Sequence, residues 1–339
     1  MALTIFREAL AAVDPITLIR NAVELDDQIL TIRTTNERQP GFRYNLASSG
    51  TERPIYSIAF GKAASNMARA LEEILGSQLK AGIISASPHF QSTRSSLSSR
   101  WQIFTGGHPT PNEESIIAAQ ASLKLLRQAD AENALVIFLI SGGGSAMMDA
   151  PRDSLLTLAE LQQTNHLLVT SGVPIAEVNT VRRAISMIKG GGLSSAAPNT
   201  DQISLIISDT NKGDERNVAS GPTFLFEELF EEKESAIQVL RKYSLDSRLP
   251  QAITKLIEMY HPPAPDRSNS RLREHLVLAE NETVMIAAAE SARRCGLEIE
   301  LAKNSFVESS IEEGCAGLLA RLTSLKSSHQ GGVCLISGG

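Results

Sequence analysis

Cysteines and long apolar runs are both scarce in this chain of 339 residues. Its three cysteines, Cys295, Cys315 and Cys334, lie far apart and form no CxxC pair. They indicate neither a disulfide framework nor a zinc site, and this pattern is consistent with a protein in a reducing compartment. The longest strongly apolar run, ALVIFLI at residues 134–140, has seven residues, whereas a membrane-spanning helix needs about 20. The apolar N-terminal stretch contains an arginine and a glutamate, unlike a signal peptide, so we expect a soluble, cytoplasmic protein.

Positive charge is also scarce, since 32 lysines and arginines face 38 aspartates and glutamates and give a formal net charge of −6. General binding to nucleic acid or to an anionic membrane is therefore not expected. A local cluster of cations could still hold a small anion. The chain is rich enough in core-forming residues, because hydrophobic residues make up 42% and charged residues only 21%. This composition predicts a folded protein with a sizeable core.

Short apolar runs alternate with helical patterns from residue 54 onward. Strands are predicted at 55–60, 81–87, 134–141 and 203–209, and helices at 63–75 and 112–128. The runs at 134–141 and 203–209 do not alternate with polar residues, as expected for strands buried on both faces of a parallel sheet. The order of the elements predicts an α/β fold with a doubly wound, mostly parallel sheet in a Rossmann-like, three-layer arrangement.

A change in composition near residue 260 indicates a domain boundary. The segment YHPPAPDRSNSR, at residues 260–271, is rich in proline, serine and charge. We therefore predict a Rossmann-like N-terminal domain at 1–260, a linker at 261–271 and a second α/β domain at 272–339. The second part holds three strand-like runs and stops on a strand followed by glycines. We expect it to be a partial, truncated domain with an exposed strand edge, which a homodimer would cover.

A glycine-rich loop, SGGGS at residues 141–145, follows one of the buried strands. In open α/β sheets, ligands bind outside the carboxyl ends of the strands. Backbone N–H groups in such a loop can bind an oxyanion, either a carboxylate or a phosphate. The residues concerned are Gly142, Gly143, Gly144 and Ser145. The alternative is a tight turn at which two backbones pass closely.

The segment EVNTVRRAISMIKGGG, at residues 177–192, supplies cations. At helical spacing, Asn179, Arg182 and Lys189 fall on one polar face that contains no acid. This face runs into a second glycine run that includes Gly190 and Gly191. The pattern predicts an anion clamp, and the alternative is an ordinary solvated helix face.

Four further polar residues follow predicted strands. Asp209 ends a buried strand and Asp214 lies five residues later; two carboxylates near an anion site suit a divalent metal or a base that accepts a hydroxyl proton. The alternative for each is a turn former or a helix cap. Lys62 lies just past a strand, where it could reach a phosphate or simply be exposed. His108, in GGHPTP, could be a ligand, a base or a structural histidine.

Several familiar motifs are absent from the sequence. There is no GxxxxGK[ST], which argues against a Walker-type P-loop, and no GxGxxG after the first strand, which argues against a Rossmann dinucleotide site. The run GGSAM has Met147 where a GxSxG nucleophile elbow needs its last glycine.

Five motifs nevertheless occur together, in the order FGKAASNMARALE, GGHPTPNEES, SGGGSAMMDAP, EVNTVRRAISMIKGGGL and SDTNKGDERNVASGPT. On these motifs the chain resembles the type II glycerate 2-kinases, the family whose C-terminal part is called the MOFRL domain. The resemblance implies two α/β domains with the active site in the cleft between them. It also implies an enzyme that uses ATP and a divalent metal, Mg²⁺ or Mn²⁺, to phosphorylate the 2-hydroxyl of D-glycerate, giving 2-phospho-D-glycerate.

The resemblance also assigns roles to residues. Lys62 would be the active-site lysine, and the stretches 142–145 and 189–192 would cradle substrate or phosphates. Asn179 and Arg182 would contact the anion. The sequence stops before the MOFRL part of the family, so we expect a chain whose cleft lacks one wall.

The same resemblance gives the acid function to Asp209 and Asp214, one as the base and the other as the metal ligand, in either order. The expected partners are D-glycerate and ATP, and neither nucleic acid nor a membrane is expected. Two alternatives stay open. One is a nicotinamide-dependent hydroxypyruvate reductase, an old label for several family members, and the other is a non-catalytic, truncated relative that only binds the ligand.

Overall fold

The structure is a computed structural model, and it describes residues 1–34, 41–47, 53–88, 97–210, 213–225, 234–262, 270–302 and 311–338. Within these residues the chain forms a six-stranded parallel sheet, a three-stranded antiparallel sheet and a two-stranded parallel sheet. Helices pack against both faces of the largest sheet. The predicted α/β fold is therefore confirmed.

The strands of the described residues are β1 Val23–Asp26, β2 Ile29–Ile32, β3 Phe42–Asn45, β4 Ile55–Phe60, β5 Leu79–Ala86, β6 Trp101–Thr105, β7 Leu135–Ser141, β8 Asp201–Ile207, β9 Arg273–Ala279, β10 Glu298–Ala302 and β11 Val333–Ser337. The large sheet has the order β6-β5-β4-β7-β8-β9. The chain builds outward from β4 to β6, then returns to β7 on the other side of β4. This reversal between β4 and β7 is a topological switch point of the kind at which doubly wound proteins bind ligands.

The helices of the described residues are α1 Ala2–Ala11, α2 Pro15–Ala22, α3 Ala64–Leu75, α4 Glu113–Ala131, α5 Gly144–Met147, α6 Leu158–Thr170, α7 Ile175–Ile185, α8 Gly192–Ser195, α9 Ala236–Lys242, α10 Gln251–Met259, α11 Asn281–Arg294 and α12 Ile311–Ser328. Short 3-10 turns occupy Gly76–Gln78 and Glu215–Ser220. Several helices begin where the sequence supplies a side-chain cap. Asn112, for example, accepts a hydrogen bond from the backbone of Ser115 at the start of α4.

Strand β7 shows why the sheet lies between two helical layers. Its residues alternate between two apolar clusters, Leu135, Ile137 and Leu139 on one face and Val136, Phe138 and Ile140 on the other. Helices α2 and α3 complete the first cluster, and helices α4 and α8 complete the second. A continuous run of branched apolar residues is what a strand covered on both faces requires.

A third apolar cluster stands beside the sheet and is formed by α6, α7, α9 and α10. Val178, Val181 and Ile185 of α7 are buried in it. The packing of these three residues fixes the rotation of α7 about its axis. The polar residues Asn179 and Arg182 therefore face the carboxyl ends of the strands.

Strand β9 corrects the predicted extent of the second domain, because Arg273–Ala279 pairs in parallel with β8 and is the edge strand of the large sheet. Leu276 and Val277 are buried, one in each of the sheet's two apolar clusters. Residues 263–269 of the predicted linker lie outside the described residues. The division of the chain into domains otherwise stays a prediction.

The residues after β9 pack against the beginning of the chain. Helix α1 lies on α11, where Ile5 and Ala9 contact Ala288 and Ala292 in a small apolar cluster. Strands β10 and β11 pair in parallel beside α11. Among the described residues, no helix is both long enough and apolar enough to cross a membrane.

His275, in β9, is a partly buried titratable group within the sheet. Its ring stacks on Phe224, with the two ring centroids 3.9 Å apart and the planes 14° from parallel. Burial lowers the pKa of His275 to about 4; the charge of Arg273 adds to this, whereas a backbone hydrogen bond with Thr223 opposes it. The ring is therefore neutral in the folded protein at neutral pH.

We expect this histidine to make stability fall in mild acid. In an unfolded chain a histidine has a pKa near 6.5, so between about pH 6.5 and pH 4 the unfolded state takes up a proton that the folded state does not. Stability should be unaffected above that window and should fall within it, by about 1 to 2 kcal/mol at pH 5. Urea unfolding at pH 7 and pH 5 measures the loss.

The His275→Gln variant should lose much of this pH dependence. His166→Gln, at an exposed position of α6, is the matched control and should keep it. If His275→Gln and the wild type lost equal stability between pH 7 and pH 5, His275 would not be the group responsible.

Candidate active site

The loops after β4 and β7 interlock at the switch point of the sheet. The backbone N–H of Lys62 donates to the carbonyl of Gly142 at 2.9 Å, and the N–H of Ala63 donates to Oγ of Ser141 at 3.0 Å. Gly61 has a φ of +109°, and a side chain there would overlap the Ser141 carbonyl. The two loops can approach this closely only because residue 61 is glycine.

A cavity of about 440 Å³ opens at this edge of the sheet. Of the predicted site residues, those that line it are His108, Gly143, Ser145, Asn179, Arg182, Asp209 and Asp214. They come from different loops and from α7, and the fold brings them together across the switch point. Asn217 and Ala219 also line the cavity, as does Asn281 at the start of α11.

The loop after β7 presents unpartnered backbone donors. Among the described residues, no acceptor is hydrogen bonded to the N–H groups of Gly142, Gly143, Gly144 or Ser145. Gly143 has a φ of +82°, in the left-handed region. Successive N–H groups in such a turn form a concave site for an anion. Gly143 and Ser145 line the cavity, whereas Gly142 and Gly144 do not, and anion binding by this loop stays a prediction.

Lys62 and His108 flank this loop. A methyl group at Gly143 would lie 3.3 Å from Cε of Lys62 and 3.3 Å from Cε1 of His108. Partial burial lowers the pKa of His108, and the positive charge of Lys62 lowers it further, whereas Asp209 opposes the shift. Neither the Lys62 ammonium nor the His108 ring has a hydrogen-bond or ion-pair partner among the described residues. Both groups are therefore available to a ligand.

The carboxylates of Asp209 and Asp214 face the same cavity. Asp209 follows β8, and its backbone carbonyl accepts a hydrogen bond from Nδ2 of Asn281 at 3.4 Å. Neither carboxylate has a hydrogen-bond or ion-pair partner in the part of the chain that the structure describes. Both side chains are exposed, and Asp214 makes no side-chain cap at the 3-10 turn that follows it.

Helix α7 contributes Asn179 and Arg182 to another wall of the cavity. Asn179 is held by the loop 215–222: its Oδ1 accepts from Oγ of Ser220 at 2.9 Å, and its Nδ2 donates to Oδ1 of Asn217 at 3.2 Å. Oγ of Ser220 also lies 2.8 Å from Oγ of Ser145. This network links α7 to the glycine loop and fixes the shape of the cavity.

Arg182 lies one turn further along the same face of α7 and is 8% exposed. Its Nε donates to Oδ1 of Asn165 in α6 at 3.0 Å. Its terminal nitrogens have no hydrogen-bond partner among the described residues. Burial lowers the pKa of Arg182, and the negative charge of Asp149 opposes this shift. A cation whose two terminal nitrogens have no partner among the described residues therefore borders the cavity.

Lys189 does not share this face, contrary to the prediction. Helix α7 ends at Ile185, because Ser186 forms a bridge with Pro151 and leaves the helical path. Lys189 is instead buried in an ion pair with Asp149, and both side chains are 1% exposed. The helical spacing that predicted one face from residue 179 to 189 fails at this bridge.

The second glycine run is also placed differently from the prediction. The N–H of Gly190 donates to the Ser220 carbonyl at 3.1 Å, and that of Gly191 donates to the Gly221 carbonyl at 2.8 Å. Neither glycine lines the cavity. Because these N–H groups are already used, the run is a tight turn between two backbones rather than a phosphate cradle.

Sequence reasoning missed four polar residues of the site. Asn217 and Ser220 lie inside the polar stretch 208–223, but no local pattern distinguishes them from their neighbours. Asn165 and Asn281 each stand alone within a helix, and only the packing of that helix brings them to the site.

Gly142→Ala tests whether the position of the Asp209 carboxylate, which lies against the glycine loop, matters for activity. Gly142 does not have a positive φ, but a methyl group there would overlap the Asp209 carboxylate. We expect the carboxylate to swing aside, lowering turnover about 10- to 100-fold while stability changes by less than about 1 kcal/mol. Steady-state kinetics and urea unfolding measure the two effects.

Gly331→Ala is the control, because a methyl group at that position meets nothing within 4 Å. It should leave both turnover and stability at wild-type values. Normal turnover in Gly142→Ala would show that the position of the Asp209 carboxylate is unimportant.

The sheet order and this cavity define the chain as a doubly wound α/β protein with a polar cavity at its topological switch point. A family profile described as a domain of unknown function, DUF4147, matches residues 1–258, and the chain belongs to that family. It is 33% identical over 304 residues to a glycerate 2-kinase from Pyrococcus horikoshii, covering 88% of this chain and 63% of that protein. It is 31% identical to the human glycerate kinase, covering 87% of this chain and 55% of that protein.

A solved structure agrees with these relatives. A crystal structure of a Pyrococcus horikoshii protein has a TM-score of 0.69 and 29% sequence identity, covering 99% of this chain and 73% of that one. The predicted relationship to the glycerate kinases is therefore confirmed. The chain spans 63% of the Pyrococcus relative and 55% of the human one.

Proposed function

We propose that this protein is a glycerate 2-kinase, which transfers the γ-phosphoryl group of ATP to the 2-hydroxyl of D-glycerate. The observation that carries the proposal is a set of polar groups that have no partner among the described residues. Arg182, Asp209 and Asp214 line one cavity together with Gly143 and Ser145, and Lys62 lies beside Gly143. Phosphoryl transfer asks a protein mainly for positioning and charge neutralisation, which such a set supplies. Relatives named glycerate kinase support the choice of substrate.

The phosphates would bind at the glycine loop. The N–H groups of residues 142–145 suit phosphate oxygens, and Lys62, beside Gly143, would add a positive charge where the transferred group becomes more negative. His108 lies on the same side of Gly143 as Lys62, and its lowered pKa favours the neutral ring, which can donate or accept a hydrogen bond.

The carboxylate of D-glycerate would bind at α7. The terminal nitrogens of Arg182 can donate two parallel hydrogen bonds to a carboxylate, and the Asn179 amide lies one turn away on the same helix face. This arrangement would place the 2-hydroxyl, which is adjacent to the carboxylate in the substrate, between α7 and the glycine loop.

Asp209 and Asp214 fit a divalent metal together with the phosphates of a nucleotide. Mg²⁺ is usually held by one or two carboxylates and by phosphate oxygens rather than by a cage of side chains. Among the described residues, no group of three or more His, Cys, Asp or Glu is placed to hold a metal ion. When bound, the metal would neutralise phosphate charge; one aspartate would help to hold it and the other would accept the proton of the 2-hydroxyl.

The cytoplasm is the location that we propose, because the three cysteines are free thiols and fit a reducing compartment. Among the described residues, β11 pairs only with β10. A homodimer that covers the other edge of β11 stays a prediction.

The test is formation of ADP from ATP and Mg²⁺ on addition of D-glycerate, followed with a coupled assay. We expect ADP formation that depends on D-glycerate. Oxidation of a reduced nicotinamide cofactor by hydroxypyruvate would instead support the reductase. Calorimetric binding of D-glycerate without any ADP formation would support a protein that only binds the ligand.

A further inference from the structure

We propose that Asn165 is a positioning residue, which fixes the guanidinium of Arg182 so that its terminal nitrogens face the cavity. Asn165 lies in α6 and does not line the cavity, yet its amide oxygen is hydrogen bonded to Arg182 of α7. The inference rests on the proposed function to the extent that Arg182 is taken to bind the carboxylate of the substrate.

The surroundings of Asn165 favour an apolar residue, so its amide needs an explanation. Asn165 is 4% exposed, and Leu161 and Leu168, each about one turn away on α6, are buried in the apolar cluster beside it. A buried amide costs free energy unless its atoms are hydrogen bonded. Its Nδ2 donates to the Leu161 carbonyl within the helix, and its oxygen accepts from Arg182. A leucine at 165 would match its neighbours but would leave Nε of Arg182 without an acceptor.

The hydrogen bond at Nε fixes the whole guanidinium. Nε, Cζ and the two terminal nitrogens of Arg182 are coplanar, so holding the first determines the plane and direction of the others. With Nε occupied at 3.0 Å by Asn165, the two terminal nitrogens are the donors left for a ligand. Two parallel donors on one edge match the two oxygens of a carboxylate.

Charge explains why an amide serves better here than a carboxylate. Asp149 is the acid whose charge acts on Arg182, and it is already paired with Lys189 and accepts a hydrogen bond from Oγ of Ser186 at 2.7 Å. Asn165 is neutral, so it orients Arg182 without cancelling its charge. The full positive charge is thereby kept for the anionic substrate.

The first measurement is the ¹H–¹⁵N signal of the Arg182 Nε–H, identified by its loss in Arg182→Lys. In the wild type this hydrogen should exchange with water much more slowly than those of exposed arginines. The signal should broaden or shift in Asn165→Leu and should persist in Asn165→Asp, which keeps the acceptor oxygen. An Nε–H that exchanges in the wild type as fast as those of exposed arginines would overturn the proposal.

The second measurement is steady-state kinetics. In Asn165→Leu, KM for D-glycerate should rise about tenfold or more, with kcat changed by less than about twofold, as expected when ground-state binding is lost. Thr164→Val is the matched control. It removes a buried hydrogen bond to the Glu160 carbonyl on the same helix, but Thr164 has no hydrogen bond to Arg182.

Equal KM values in Asn165→Leu and Thr164→Val would overturn the proposal. If the wild-type protein phosphorylates no D-glycerate, the proposed function fails separately. The Nε–H comparison then still decides whether Asn165 positions Arg182, and calorimetry with D-glycerate alone shows whether that position matters for binding.

Discussion

Lys189→Met is expected to lower the free energy of unfolding by about 3 to 5 kcal/mol, the usual cost of leaving a buried charge without its partner. Lys189 and Asp149 are both 1% exposed and form a buried ion pair. Burial lowers the pKa of Lys189, and the Asp149 carboxylate opposes that shift. In the variant, Asp149 would keep the hydrogen bond from Ser186 but lose its counter-ion.

Urea unfolding at pH 7 measures this loss. The double variant Lys189→Met with Asp149→Asn removes both charges but keeps an acceptor for Ser186, so it should recover much of the stability. Lys242→Met is the control, since it breaks exposed ion pairs with Glu177 and Glu234 and should cost little. A loss in Lys189→Met as small as that in Lys242→Met would contradict the buried pair and would reopen a role for Lys189 at the ligand.

The second large effect is expected from Asp209→Asn and Asp214→Asn. The substitution that removes the base should lower turnover about 10²- to 10⁴-fold even at saturating Mg²⁺. The other should mainly raise the Mg²⁺ concentration needed for half-maximal activity. Both carboxylates are exposed and have no hydrogen-bond or ion-pair partner among the described residues, so neither substitution should destabilise the fold. Initial rates over a range of Mg²⁺ concentrations distinguish the two roles.

Asp26→Asn, at an exposed position of β1, removes one negative charge away from the cavity. It serves as the control and should keep wild-type turnover and the wild-type Mg²⁺ requirement. If both Asp209→Asn and Asp214→Asn behaved like Asp26→Asn, neither aspartate would be part of the chemistry.

The centre of the sheet could be predicted because its strands are continuous apolar runs. β4, β7 and β8 are buried on both faces, and this is what their composition indicates. The edge strand β9 was expected to lie in the second domain, whereas it pairs with β8 in the large sheet. Its pairing with β8 joins residues about 70 positions apart in the chain, and no local pattern specifies such a partner.

The candidate site was predictable in part, because a general rule places ligands at the ends of parallel strands. That rule led to the glycine loop, His108 and the two aspartates, which the fold does bring to one cavity. It could not show that α7 ends at Ile185. Because helical spacing was extended beyond the end of α7, Lys189 was wrongly predicted to lie on the same polar face as Asn179 and Arg182.

The most direct test of the central claim, phosphoryl transfer to the 2-hydroxyl of D-glycerate, is the ³¹P NMR spectrum of the protein mixed with ATP, Mg²⁺ and D-glycerate. We expect the ATP signals to be replaced by those of ADP and of 2-phospho-D-glycerate, in equal amounts. Unchanged ATP after prolonged incubation, or a product that carries its phosphate on the 3-hydroxyl, would contradict it.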